Sequence, residues 1–175
     1  MLKWMCSLIF GLMGWQLIGK LPNLNKIIII VAPHTTNWDF PLGLLVRGMT
    51  GRQIRYLGKK ELFNPPLGWF FRALGGVPVD RQKSQSMVDK VVEIFREQES
   101  FLLALAPEGT RSKVADWRTG FYHIARKAEV PIQMVGLDYS RREVEIMDLY
   151  YPSGSIERDM PEIKAKFDRF QGKTK

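Results

Sequence analysis

Apolar residues recur along this chain in two patterns: short continuous runs and helically spaced positions. The continuous runs predict strands over residues 26–32, 54–57, 77–79, 101–106, 132–137 and 143–149. The first run carries four consecutive isoleucines, which is typical of a strand buried on both faces. The helically spaced positions predict helices over 38–50, 87–95, 119–128 and 156–170. This alternation predicts an α/β sandwich, with a mixed, mostly parallel sheet flanked by helices and with the working residues in loops at strand ends.

Residues 1–20 are predicted to form an apolar helix that precedes a single domain over 21–175. The uncharged stretch from Trp4 to Gly19 lies between Lys3 and Lys20. As a helix it is about 24 Å long, which is shorter than a bilayer hydrocarbon core of roughly 30 Å. Flanking lysines and tryptophans near both ends favour a helix that lies in one leaflet, and packing on the domain's own core is the alternative. The absence of a small-x-small cleavage site after it disfavours a signal peptide.

Composition narrows the classes of partner. The 175 residues are 45% apolar and 25% charged, which fits one packed domain and excludes a largely disordered chain. A net charge of +8 predicts attraction to a phosphate-rich surface, either nucleic acid or anionic lipid. Basic residues are spread along the chain with no RNA-recognition, zinc-finger or helix-turn-helix pattern, which argues against nucleic acid. The lone Cys6 excludes a disulfide framework and a multi-cysteine metal site.

The first chemical motif, His34 followed by Asp39, comes directly after the isoleucine-rich strand. Because Pro41 is tolerated only near a helix start, Asp39 is expected in the first turn of a helix and His34 in the preceding loop. Asp39 then holds one ring nitrogen of His34, and the other nitrogen can remove a proton from a hydroxyl. With no Gly-x-Ser-x-Gly elbow in the sequence, attack by the substrate's own hydroxyl is the simpler interpretation. His123, in a predicted helix, is expected to be structural.

A second motif, Pro107 to Lys113, follows the predicted strand 101–106. Gly109 allows a ligand to approach the backbone closely, and the planar Arg111 guanidinium suits phosphate oxygens. Further donors come from Thr110, Ser112 and Lys113. This pattern predicts an anion-binding loop, and the alternative is an ordinary polar turn in which Glu108 pairs with Arg111.

Together these stretches resemble the glycerolipid acyltransferases typified by 1-acylglycerol-3-phosphate acyltransferase. The resemblance covers roughly residues 27–135 and rests on four blocks in order: the His-x4-Asp block His34–Asp39, then Gly76–Arg81, Pro107–Ser112 and Val130–Ile132. Four ordered blocks are far more specific than any one of them. The resemblance implies the α/β sandwich fold of glycerol-3-phosphate acyltransferases.

The resemblance also implies an activity. Members of this family transfer a fatty acyl group from acyl-carrier protein or acyl-CoA to a lysophospholipid hydroxyl, at the cytoplasmic face of the inner membrane. Here it implies His34 as general base, Asp39 as its orienting partner, and phospholipid biosynthesis from 1-acylglycerol-3-phosphate as the leading function. No metal or bound cofactor is required. The substrate-binding residues that it implies are Arg81, Glu108, Gly109, Thr110, Arg111 and Ser112.

Three residues depart from the usual family pattern: Pro33, Ala106 and Met134. These differences leave the His-Asp chemistry intact but leave the acceptor open. A lyso-amino-acid lipid, such as a lyso-ornithine or lysoglycine lipid, is the alternative acceptor. A hydrolase that releases free fatty acid and a non-catalytic membrane-surface protein are the alternative functions.

Overall fold

The computed structural model of the chain describes residues 2–79, 84–110, 114 and 116–173. The described strands are β1 Gln16–Ile18, β2 Lys26–Ala32, β3 Ile54–Lys59, β4 Gly76–Val79, β5 Phe101–Leu105, β6 Ile132–Asp138 and β7 Glu143–Tyr150. The described α-helices are α1 Leu2–Leu12, α2 Asp39–Thr50, α3 Gly68–Ala73, α4 Ser84–Glu97, α5 Gly120–Ala128 and α6 Ile156–Ala165. A 3-10 turn over Lys60–Phe63 joins β3 to α3.

The strands of the described residues form one seven-stranded sheet in the order β1-β7-β6-β2-β5-β3-β4. Every neighbouring pair is parallel except β6 and β7, which are antiparallel. The predicted mixed, mostly parallel sheet is therefore confirmed. Because β2, β5 and β6 are parallel neighbours, their carboxyl ends meet at one edge of the sheet, where ligands of such sheets bind.

The β2 side chains divide the interior into two apolar cores, because successive side chains of a strand point to opposite faces. Ile28 and Ile30 pack in a core with side chains of α4, α5 and α6. Ile27 and Ile29 pack in the other core with side chains of α1 and α2. All four isoleucines are at most 3% exposed, as the continuous apolar run predicts.

The N-terminal segment differs from the predicted single helix. The helix ends at Leu12, because Gly14 adopts a left-handed conformation (φ +76°) and the Trp15 N–H donates back to the Phe10 carbonyl at 3.0 Å. The predicted helix through Gly19 is thus too long, and residues 16–18 instead form the edge strand β1.

One face of α1 packs on the domain. Cys6 and Phe10 are buried, and Gly48 of α2 leaves the room that the Cys6 side chain occupies. The remaining faces of α1 are largely exposed. Within the described ranges, no helix has both the length and the apolar composition needed to cross a bilayer.

The C-terminal helix is also shorter than predicted. It ends at Ala165 rather than continuing to residue 170, and successive turns follow it. The chain then returns to the strand-end edge of the sheet. There the Gln171 carbonyl accepts the Tyr139 N–H at 2.8 Å, and the Lys173 N–H donates to Thr35 Oγ1 at 2.9 Å. The tail therefore lies against the loop that follows β2.

Candidate active site

His34 and Asp39 lie together at the carboxyl end of β2. His34 is in the loop after the strand, Asp39 is the first residue of α2, and His34 Nδ1 lies 2.7 Å from Asp39 Oδ2. The His34 side chain is 22% exposed, whereas that of Asp39 is 3% exposed. No other residue in the described part of the chain hydrogen-bonds the second ring nitrogen, Nε2. The geometry expected from the sequence is therefore present, with a buried carboxylate behind a partly accessible imidazole.

The Asp39 carboxylate accepts hydrogen bonds on both oxygens. Oδ2 also accepts the N–H groups of Thr35 at 3.0 Å and Thr36 at 3.1 Å. Oδ1 accepts the Tyr139 hydroxyl at 2.5 Å. Burial acts to raise the pKa of Asp39, but hydrogen bonds from His34, Tyr139 and the Thr36 backbone hold that pKa below its ordinary value. An ionised carboxylate fixes the tautomer of His34 with the proton on Nδ1, so that Nε2 can accept a proton.

Glu108 holds the backbone of His34 from the opposite side. It lies in the loop after β5, the strand that pairs with β2, and its Oε2 accepts the His34 N–H at 2.6 Å. Burial raises the pKa of Glu108, and the hydrogen bond from the His34 backbone opposes that rise. A carboxylate that is used in this way repels a phosphate rather than binding one. This contact favours a positioning role for Glu108 over the phosphate-binding role that the resemblance implies.

The rest of the predicted anion-binding loop is described as far as Thr110. Gly109 has φ +64°, and a Cβ at this position would lie 2.5 Å from Nε of Arg118. The Arg118 N–H donates to the Pro107 carbonyl at 2.8 Å, which ties the segment before α5 to this loop. Thr110 is exposed. Arg118 thus places a guanidinium against the loop, next to the positions that the sequence motif singled out.

An apolar pocket lies between α2 and the sheet on the face that contains α1. Asp39, Leu42 and Val46 line it from α2, and Ile29 and Val31 line it from β2. Ala104, Val135 and Leu137 from β5 and β6 also line it. The pocket therefore lies directly beside Asp39.

The sequence of this region matches one protein family. A family model described as Acyltransferase matches residues 18–138. The chain belongs to the acyltransferase family. The match runs from the last residue of β1 to the end of β6 and includes both His34 and Asp39.

Two known proteins are similar to this acyltransferase-family chain. It is 34% identical over 118 residues to the 1-acyl-sn-glycerol-3-phosphate acyltransferase of Streptococcus pneumoniae, a match that covers 66% of this chain and 43% of that protein. The chain thus matches less than half the length of this relative. The crystal structure of the 1-acyl-sn-glycerophosphate (LPA) acyltransferase PlsC from Thermotoga maritima has a TM-score of 0.67 at 18% identity, covering 96% of this chain and 76% of that one. This likeness confirms the predicted fold.

The structure brings together some of the predicted site residues. His34, Asp39 and Glu108 are in direct contact, and Gly109 and Thr110 lie in the same loop as Glu108. Three further predicted residues lie outside the described part of the chain: Arg81, Arg111 and Ser112.

Two residues of the site were missed by the sequence reasoning: Tyr139 and Arg118. Tyr139 directly follows β6, the parallel neighbour of β2, so the rule that site residues follow strand ends could have found it. Arg118 precedes α5 and follows no strand, so no such rule indicates it.

Proposed function

We propose that the protein is an acyltransferase that moves a fatty acyl group from a soluble thioester to the hydroxyl of a lysophospholipid, with 1-acylglycerol-3-phosphate as the leading acceptor. The observation that carries this proposal is the 2.7 Å contact between His34 Nδ1 and the buried Asp39 Oδ2 at the strand-end edge of the sheet. The name of the Streptococcus pneumoniae relative supports the choice of acceptor.

The pair can drive acyl transfer without an enzyme-borne nucleophile. His34 Nε2 removes the proton from the acceptor hydroxyl while the hydroxyl oxygen attacks the thioester carbonyl carbon. The new C–O bond forms, the C–S bond breaks as the tetrahedral intermediate collapses, and the leaving thiolate takes the proton from the imidazolium. Asp39 stabilises the imidazolium in between and returns His34 to its starting tautomer.

The pocket beside Asp39 supports a fatty acyl group as the transferred unit. Its walls are mostly aliphatic, and its polar lining residues are Asp39 and Thr50. A hydrocarbon chain in this pocket buries apolar surface, at about 0.8 kcal/mol per CH₂, and leaves its carbonyl end near the catalytic pair. We infer that the pocket, with a volume of about 80 Å³, receives part of the acyl tail.

The loop after β5, together with Arg118, supports an anionic head group. Glu108 joins this loop to the His34 backbone, and Arg118 lies against Gly109 within it. Guanidinium groups suit bidentate contact with phosphate oxygens. We infer that Arg118, with Arg81, Arg111 and the donors of Thr110 and Ser112, binds the acceptor's phosphate.

The exposed side of α1 supports binding at a membrane surface. Its exposed apolar side chains are Leu2, Trp4, Met5, Leu8, Ile9 and Leu12. Trp38 and Phe40, which flank Asp39 in sequence, are exposed as well. Such a surface suits insertion into one leaflet, and the net charge of +8 favours anionic lipid. We infer peripheral association with the cytoplasmic face of the inner membrane.

The test is an acyl-transfer assay on membranes that contain the protein. Labelled acyl-carrier-protein and acyl-CoA thioesters are offered with either 1-acylglycerol-3-phosphate or a lyso-amino-acid lipid. We expect diacyl product from 1-acylglycerol-3-phosphate, and a loss of about 10²–10⁴-fold in His34→Ala because a general base has been removed. His123→Ala is the matched control, because His123 is exposed on α5, and it should keep full activity.

Each alternative gives a different product. Diacyl product from the lyso-amino-acid lipid alone would keep the chemistry and overturn the acceptor. Free fatty acid as the main product would indicate a hydrolase. Turnover in a folded His34→Ala variant equal to that of the wild type would refute the general-base assignment.

A further inference from the structure

Tyr139 contacts the one oxygen of the catalytic carboxylate that faces away from His34. Its hydroxyl donates to Asp39 Oδ1 at 2.5 Å, while Oδ2 accepts from His34 and from two backbone N–H groups. The contact joins residues 100 positions apart in sequence, so it exists only in the folded protein. A hydrogen bond to an ionised group is about twice as strong as a neutral one.

The structure also fixes Tyr139 itself from two directions. Its ring packs edge-on against Trp15, with centroids 5.0 Å apart and an interplanar angle of 88°. Its backbone N–H donates to the Gln171 carbonyl at 2.8 Å. Trp15, which lies just after α1, is buried. A ring held in this way can aim its hydroxyl at a defined point.

We propose that Tyr139 is a positioning residue for the catalytic pair: its hydroxyl holds the Oδ1 side of Asp39 so that Oδ2 stays directed at His34. This inference rests on the proposed function in so far as the pair is catalytic. Without the hydroxyl, the carboxylate loses a donor and can rotate about its last bond, so His34 is oriented less often for proton removal.

The hydroxyl also controls how strongly Asp39 attracts a proton. Removing it takes away one of the hydrogen bonds that lower the pKa of Asp39, so that pKa rises. A more basic carboxylate favours the protonated form of its His34 partner. The acid limb of the pH–rate profile should therefore move to higher pH.

Within the described ranges, few titratable groups face this pair from the surrounding elements. Tyr139 faces it from the end of β6, and Glu108 from the end of β5. Trp15, from the segment after α1, is uncharged, and the C-terminal tail contacts Thr35 through the Lys173 backbone. Because Glu108 and Arg118 are the same in every variant, a change in the pH profile that is confined to Tyr139→Phe is attributed to the connection through Asp39.

The experiment compares Tyr139→Phe with Tyr122→Phe in the full chain. Tyr122 is a matched control, because its hydroxyl also donates to a buried aspartate, Asp159, at 2.8 Å but on the other face of the sheet. We expect kcat to fall about tenfold in Tyr139→Phe, because one hydrogen bond to a charged group is lost. The KM values for the acyl donor and for the acceptor should change little. Tyr122→Phe should leave kcat and the pH profile unchanged.

A second readout does not depend on turnover. The chain has two histidines, so NMR can follow the ring signals of His34 with His123 as an internal reference. In Tyr139→Phe, the chemical shifts of the His34 ring signals should change at constant pH, while those of His123 should not. Because no substrate is present, this readout tests the Tyr139–Asp39–His34 connection even where the assigned acceptor is wrong.

A variant of the same size guards against misfolding of Tyr139→Phe. Placing 3-fluorotyrosine at position 139 keeps the ring and makes the hydroxyl a stronger donor, so the acid limb of the pH–rate profile should move the opposite way. Opposite shifts in the two variants would support the proposal. Wild-type kcat and an unmoved pH–rate profile in a folded Tyr139→Phe variant would overturn it, and an effect on KM alone would also overturn it. If the role of Tyr139 is overturned but His34→Ala is inactive in the same series, the proposed function still holds.

Discussion

Two buried aspartates on opposite faces of the sheet are built alike. Asp39 accepts the Tyr139 hydroxyl at 2.5 Å, and Asp159 accepts the Tyr122 hydroxyl at 2.8 Å. Each of the two carboxylates also accepts a hydrogen bond from a backbone N–H group. Hydrogen bonds of this kind hold the pKa of each below its ordinary value despite burial.

The difference lies in the remaining partner. Asp159 accepts the Ser153 N–H and hydroxyl, each at 2.7 Å, and so ties the loop before α6 to that helix. Asp39 instead accepts Nδ1 of His34, whose ring is partly exposed. The same chemistry therefore ties a loop to a helix at Asp159 and orients an imidazole ring at Asp39. What distinguishes them is a partner that can exchange a proton and is open to a ligand.

The largest expected effect is from exchanging each carboxylate for an amide. Asp39→Asn should lose about 10²–10⁴-fold in kcat, because an amide does not stabilise the imidazolium or fix its tautomer. Asp159→Asn should keep its activity but lose about 2 kcal/mol or more of unfolding free energy, because the amide N–H groups face other donors. Assays at low temperature and denaturant melts measure the two quantities. Equal losses of stability and activity in both variants would erase the distinction.

Acid unfolding gives a smaller and graded effect. Burial acts to raise the pKa of Asp159, but hydrogen bonds from Ser153 and Tyr122 prevail and lower it to about 2. Since the folded value is depressed, the stabilisation is present above pH about 4 and is lost as the pH falls toward about 2. We expect a loss of about 2 kcal/mol across that window. Chemical denaturation at several pH values measures it.

The matched variant sharpens this test. Asp159→Asn has no carboxyl to protonate at this position, so its unfolding free energy should depend less on pH between about 4 and 2. An identical slope in the wild type and the variant would assign the acid sensitivity to other carboxyl groups.

Local patterns were sufficient to predict much of the fold and the His34–Asp39 pair. Both faces of β2 are buried, so its successive residues are all apolar and the strand is visible in the sequence as a continuous run of isoleucines. His34 and Asp39 are five positions apart, and Pro41 fixes the start of α2, so the contact between them depends only on the local path of the chain.

Contacts between distant segments were not predictable in this way. Tyr139 reaches Asp39 across 100 residues, and Glu108 reaches His34 across 74. The edge strand β1 has three residues, which are too few to show the alternation of a strand. In the sequence it therefore cannot be told apart from the apolar helix before it. Gly14 ends α1 before β1 by adopting a left-handed conformation. A glycine can adopt this conformation but need not, so the sequence alone does not predict the end of the helix.

The smallest expected effect comes from replacing a helix glycine by leucine on each face of the sheet. Gly43 of α2 lines the pocket beside Asp39, and a Cβ there would meet no atom within 4 Å. Gly120 of α5 has the same free space but belongs to the Tyr122 helix. Gly43→Leu should shift the preferred acyl chain toward shorter donors by several-fold, because the added side chain occupies pocket volume, at unchanged or slightly raised stability. Gly120→Leu should leave the preference unchanged, as measured by kcat/KM over donors of increasing chain length. An equal preference in both variants would mean that the acyl tail binds outside this pocket.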